Sequence, residues 1–158
     1  MIPADKLRHY GATKVNYRKD GVIFQEGERA TYYYQLEEGS VKLITRSTAG
    51  REFIQGIFGA HESFGEPPLL AGFDYPSSAV ALAPVVLYRL AKESFIQLLK
   101  DNFPIHLHID SILAERLRQK SNVLSDISFY EPEQRILSLI YQMKKSMARW
   151  VLGRLLCR

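Results

Sequence analysis

The sequence predicts an α+β chain that is mainly β: an antiparallel β-roll or jelly roll, then a long helix, then a short helical tail. Three observations carry this. Residues 17–100 read as short apolar runs broken at close intervals by glycine or acidic turns, the spacing of a sandwich or roll rather than of βαβ units. From Ile105 to about Ile127 the apolar residues move to helical steps, at Ile109, Ile112, Leu113, Leu117, Leu124 and Ile127. Beyond Ser128, the run Glu131-Pro132-Glu133-Gln134 opens a new helix, with proline and acids in its first turn. The boundaries expected are a roll with flanking helices over 1–103, the long helix over 104–128 and the tail over 129–158.

Each element has a local cause. Val22-Ile23-Phe24 ends at Glu26-Gly27-Glu28, and Tyr32 to Leu36 ends at Glu37-Glu38-Gly39-Ser40. Val41-Lys42-Leu43 alternates as a half-buried strand does. Ala49-Gly50-Arg51 turns the chain before Phe53-Ile54, and Phe58-Gly59-Ala60-His61 turns it again. A short helix is expected from Glu66 to Gly72, followed by strands at Ser78 to Leu82 and Val85 to Leu90. Lys92-Glu93-Ser94 starts a helix with Phe95, Leu98 and Leu99 on one face. Asn102-Phe103-Pro104 stops it, since proline lacks an amide hydrogen and restricts the residue before it. The next helix, Ile105–Ile127, would be about 34 Å long. A single apolar stripe of that length usually finds a mate, so Ile109, Ile112, Leu113, Leu117 and Leu124 are assigned to a homodimer seam.

Composition narrows the function. The 158 residues suffice for one core and an appendage. No apolar run approaches the ~20 residues of a membrane span, and Met1-Ile2-Pro3-Ala4-Asp5-Lys6 lacks the order of a signal peptide. One cysteine, Cys157, excludes a disulfide framework and a cysteine-ligated cluster. A cytoplasmic chain without a membrane partner is expected. The net charge of +4 is uneven: residues 141–158 hold five basic groups and no acid, against 16 basic and 17 acidic groups in residues 1–140. A basic end suits nucleic acid and equally a solvated terminus. No nucleophile–base arrangement or P-loop stands out, so no catalytic residue is assigned. His9, His61, His106 and His108 are scattered, and no metal site is expected. A cupin-like metalloenzyme, which needs converging histidines and carboxylates, ranks last.

Several motifs in this order resemble the CRP/FNR-like (catabolite-activator-type) transcription regulators and their cyclic-nucleotide-binding domain. Phe24-Gln25-Glu26-Gly27-Glu28 resembles the family's early turn, and Tyr34 to Leu43 its hairpin. Phe64-Gly65-Glu66-Pro67-Pro68-Leu69-Leu70-Ala71-Gly72 with Pro76-Ser77-Ser78-Ala79 resembles its phosphate-binding cassette. Ala114-Glu115-Arg116-Leu117-Arg118 resembles the dimerisation helix, and Glu133-Gln134-Arg135-Ile136 the start of the DNA-binding domain. The resemblance implies a homodimeric sensor whose effector, cyclic AMP or cyclic GMP, biases DNA-binding ends between two states. It places Gly65 and Glu66 at the ribose, and Ser77, Ser78 and Ala79 near the phosphate. Arg118, Ser121 and Asn122, with Gln119, stand where family members reach a base. Only 13 residues follow Lys145, fewer than the ~20 a helix-turn-helix needs. The tail therefore reads as the start of a truncated DNA-binding domain, and sequence-specific DNA binding is expected of a longer parent rather than of this chain.

The cassette departs from the family at one point. Nucleotide-binding members carry an arginine just before the Ser-Ala pair, where this chain has Pro76 or Ser77. No Arg or Lys lies between Arg51 and Arg89, so no substitute is close in sequence. Pro67 and Pro68 also remove two amides from the first turn of the short helix. Tyr75, Phe73 and Tyr88 read as core before they read as stacking platforms. Two other readings stay open: a ligand-free β-roll serving as an interaction or dimerisation module, and a sensor of a different small effector.

Overall fold

The computed structural model describes residues 1–129 and Ile140. Two compact units divide the chain after Asp110, the first being Met1–Asp110. The readings of the basic tail, of Glu131-Pro132 and of Cys157 lie outside the described residues.

The first unit opens with helix α1 (Ala4–His9) and strand β1 (Thr13–Tyr17), neither of which the sequence reading anticipated. Both depend on tertiary anchors. The buried amide of Gln35 accepts from the Ile2 amide (3.1 Å) and donates to the Ile2 carbonyl (2.8 Å), while the Tyr33 hydroxyl donates to the same side-chain oxygen (2.9 Å). This satisfies a polar group that would be costly to bury alone and ties the N-terminus to the middle of the fold. β1 then pairs antiparallel with the last strand of the roll.

The remaining strands are β2 (Val22–Phe24), β3 (Tyr32–Glu38), β4 (Val41–Arg46), β5 (Glu52–Phe58), β6 (Ser63–Phe64), β7 (Ser78–Ala81) and β8 (Val85–Ala91). They form two antiparallel four-stranded sheets, ordered β1-β8-β3-β6 and β2-β7-β4-β5. β5 runs on to Phe58, where the sequence reading placed a turn. β3 is buried on both faces. Tyr33 stacks on Phe95 (4.4 Å, 9°) on one side, and Tyr34 stacks on Phe64 (5.4 Å, 8°) on the other. That double burial explains a continuous Tyr-Tyr-Tyr run where a half-exposed strand would alternate.

Gly39 turns the chain from one sheet to the other. Its φ is +85°, and an added Cβ would overlap the Pro84 carbonyl oxygen and stand 2.6 Å from Val85 Cγ1. Gly39→Ala therefore combines a left-handed backbone penalty with a steric clash. The expected loss is about 2 kcal/mol or more, read as a lower midpoint in urea denaturation.

After the roll, α3 (Lys92–Asp101) buries Phe95, Leu98 and Leu99, the face its sequence spacing specified. Asn102 ends it by donating from Nδ2 to the Leu98 carbonyl (3.0 Å). Helix α4 (Phe103–Phe129) begins two residues before the expected Ile105, because proline at 104 is well tolerated in a first turn. Its 27 residues span about 40 Å. Ile109 is 1% exposed within the single chain. Its assignment to the dimer seam is corrected: it is a core residue of the chain's own fold. Leu117 and Leu124 are 67% and 66% exposed, seven residues apart and so on one helix face.

Candidate functional site

The cassette is built by local geometry that suits its residue types. β6 ends at Phe64, and Gly65 adopts φ +82° as the residue before helix α2 (Glu66–Ala71). Only glycine takes that left-handed conformation at no steric cost. Gly72, at φ +81°, closes the helix, and its amide donates to the Pro68 carbonyl (2.9 Å). The expected helix over Glu66 to Gly72 thus forms, with both prolines in its first turn. Glu66 is 1% exposed at the helix start, where an acid is favoured by the helix dipole.

Ser77 is buried at 2% exposure. Ser78 is committed to the fold: its Oγ accepts a hydrogen bond from the Glu26 amide (2.9 Å). That contact joins the early Gly-Glu turn to the cassette. Ala79 is fully buried in β7, paired across from Phe24 on one side and Leu43 on the other. Gly65, Glu66, Ser77, Ser78 and Ala79 therefore all belong to the first unit. Arg118, Ser121 and Asn122 belong to the second. There the Arg118 guanidinium holds both carboxylate oxygens of Glu115 (2.7 and 2.9 Å), which pushes its pKa further up. Gln119 donates to the same carboxylate (3.2 Å), and the Ser121 hydroxyl donates to the Leu117 carbonyl (3.0 Å).

An aromatic cluster fills the roll between the two sheets. Phe24 stacks on Tyr75 at 3.7 Å and 11°, and lies 5.6 Å from Tyr34 and 6.0 Å from Phe64. A Cβ on Gly65 would meet Phe24, Tyr34 and Tyr75 at 3.5–3.6 Å, so the cassette glycine sits directly against this cluster. Tyr75 is held on all sides. Its amide donates to the Glu28 carbonyl (2.8 Å), its carbonyl accepts from the Gly27 amide (2.8 Å), and its hydroxyl donates to the Tyr32 carbonyl (3.2 Å). Burial is the main cause that pushes both the Tyr34 and Tyr75 hydroxyls up, so both stay neutral. Tyr75 and Tyr88 are core, as read; Phe73 is 46% exposed, so its core assignment is corrected. Its neighbours Gly72 and Asp74 place it in the loop after α2 rather than on a strand.

Sequence distance hid one residue. Arg89 pairs with Tyr34 across the β8–β3 ladder, and Tyr34 pairs with Phe64 across the β3–β6 ladder. Thr13, Arg89, Tyr34 and Phe64 thus form one cross-strand row on one sheet face, ending beside Gly65. The only local signal was a charged residue inside the otherwise apolar run Val85 to Leu90. Among the described residues no group of three His, Cys, Asp or Glu is placed to hold a metal ion. None of the described helices is long and apolar enough to cross a membrane.

Comparison with known proteins agrees with this architecture. Residues 14–102 match the cyclic nucleotide-binding domain family, and the chain belongs to it. The "cAMP-activated global transcriptional regulator CRP" of Pasteurella multocida is 27% identical over 130 residues, covering 82% of this chain and 62% of the relative. The "Cyclic AMP receptor protein" of Thermus thermophilus is 31% identical over 115 residues, covering 72% and 53%. The chain thus spans a little over half the length of these curated relatives. Among solved structures, the Thermus thermophilus catabolite activator protein matches with a TM-score of 0.70 at 27% identity, covering 81% of this chain and 61% of that one. The sensor domain of the transcriptional regulator DNR from Pseudomonas aeruginosa matches with a TM-score of 0.61 at 28% identity, covering 71% and 75%. The antiparallel roll followed by a long helix is the catabolite-activator-type sensor fold.

Proposed function

We propose that this chain is the sensor and dimerisation part of a catabolite-activator-type transcription regulator, with a cyclic nucleotide as its effector and no catalytic activity of its own. The observation that carries this is the Gly65–Glu66 turn. A left-handed glycine precedes a buried carboxylate at the start of a short helix, in a fold whose relatives are named for activation by cyclic AMP. In this reading Glu66 and the Gly65 backbone take the ribose, and Ser77 contributes at the phosphate. Ser78, being engaged by Glu26, supports the cassette instead of the ligand. The exposed face of α4 carries the homodimer contact, and DNA is the partner of the longer regulator.

Thermal-shift titration with cyclic AMP and cyclic GMP tests the reading. Ligand at ~100 times its dissociation constant adds about 2.7 kcal/mol, a rise of roughly 5–10 °C for a chain of this size. No shift at millimolar nucleotide would reject the cyclic-nucleotide effector.

One observation favours a second reading. The Phe24–Tyr75 stack places a buried ring in the cassette loop itself, with the Tyr75 hydroxyl already satisfied. A roll closed by that stack serves as a ligand-free interaction module, and a flat titration would favour it.

A further inference from the structure

We propose that Arg89 is the oxyanion-holding cation of this roll, supplying to the phosphate group of a small effector, from the strand side, the positive charge that the cassette lacks. The inference rests on the reading of the roll as an effector site. It goes beyond that reading by assigning the phosphate contact to a residue outside the cassette.

Four observations converge on Arg89. It stands beside Tyr34 in the row that ends at Phe64, next to Gly65. Two strand spacings of ~4.8 Å separate the backbones of Arg89 and Phe64, and an arginine side chain covers most of such a distance. Its Nε is buried and has no hydrogen-bond partner. Its guanidinium lies over the Tyr32 ring, 4.5 Å from the centroid, a cation–π contact that uses no N–H donor in a hydrogen bond. Finally, Arg89 forms no ion pair with a carboxylate among the described residues.

This combination is unusual. Buried donors of a charged group are nearly always paired, because leaving them unmade forfeits their hydration without replacement. The cation–π contact compensates the charge but offers Nε no acceptor. The tyrosines beside it do not supply one as an anion: Tyr32 lies under the guanidinium and Tyr34 pairs across the ladder, and burial pushes the Tyr34 hydroxyl up. A guanidinium with a buried, unpaired Nε and no carboxylate partner among the described residues is complementary to an oxyanion, which it can hold through two parallel N–H bonds. Phosphate fits this geometry, whether as the phosphodiester of a cyclic nucleotide or as free phosphate.

The 158-residue chain, Arg89→Gln and Arg89→Lys are titrated with cyclic AMP and, separately, with inorganic phosphate at constant ionic strength. Binding is read by thermal shift and by the Arg89 Nε–H resonance of the unaltered chain. The expected result is a moved resonance with at least one of the two anions and affinity at least tenfold weaker in Arg89→Gln. Arg89→Lys, which keeps the charge but loses the fork, falls between them. Binding of phosphate but not of cyclic AMP supports the arginine site and rejects the cyclic-nucleotide effector. Cyclic AMP binding that Arg89→Gln leaves within threefold, or that leaves the Nε–H resonance unmoved, overturns the arginine site and keeps the effector. Absence of any response to either anion at millimolar concentration overturns the proposal outright. The resonance is measured on the unaltered chain, so a variant that fails to fold leaves the test intact.

Discussion

Truncating Phe64 to alanine is expected to cost about 3–5 kcal/mol of stability, the range for a fully buried phenylalanine. Phe64 is 0% exposed and ends the two-residue strand β6. Its ring stacks on Tyr34 at 5.4 Å and lies 5.8 Å from Phe58 and 6.0 Å from Phe24. Such aromatic pairs add stability beyond area burial, and this cluster spans both sheets, so the cavity cannot close by moving one strand. In a chain of this size the loss lowers Tm by about 10 °C. The comparison variant is Phe53→Ala on β5. Phe53 is 68% exposed, and its truncation is expected to change stability by no more than about 0.5 kcal/mol. Equal effects from the two substitutions, measured by chemical denaturation, would contradict the core described here. Because Phe64 precedes Gly65 directly, its loss should also weaken effector binding.

Leu117→Asp is expected to convert a dimer to monomers, read by light scattering. Leu117 and Leu124 stand exposed on one face of α4, and Ile127 is exposed three residues further on. Steps of seven and three are those of a heptad seam. Burying a leucine contributes about 1.5–3 kcal/mol, twice in a symmetric dimer, so removing it weakens association by roughly two to four orders of magnitude. The aspartate adds an unpaired charge facing its own copy. A dimer that survives Leu117→Asp would refute the seam. Ile109→Ala supplies the contrast: Ile109 is buried within one chain, so its truncation should lower Tm and leave the oligomeric state unchanged.

The elements legible in the sequence are those with short-range causes. Gly39, Gly65 and Gly72 sit at left-handed positions that mark turns and a helix end, and their neighbours were assigned accordingly. The α3 face, its stop at Asn102 and the presence of a long helix after it follow from apolar spacing and from Pro104, whereas α4 begins at Phe103 and runs 27 residues instead of the expected 23. What escaped notice depends on distant partners. Thr13–Tyr17 reads as a weak, polar stretch and becomes a strand because β8 offers it an edge. Phe73 reads as apolar core and lies in an exposed loop, since hydrophobicity alone does not say which residue of a turn faces inward. Ile109 and Leu117 share one periodic stripe, and periodicity cannot distinguish the part covered by the chain's own fold from the part left exposed.

By itself the sequence determined the mainly β architecture, the helix that follows it and the cassette turn, because glycine, proline and apolar periodicity act over a few residues. Tertiary structure alone decided the chemistry of the interior. It commits Ser78 to the Glu26 amide, holds Tyr75 against Phe24, and aligns Arg89 with Tyr34 and Phe64. Those placements follow from strand register, which joins residues far apart in the chain and sets which side chains share one face.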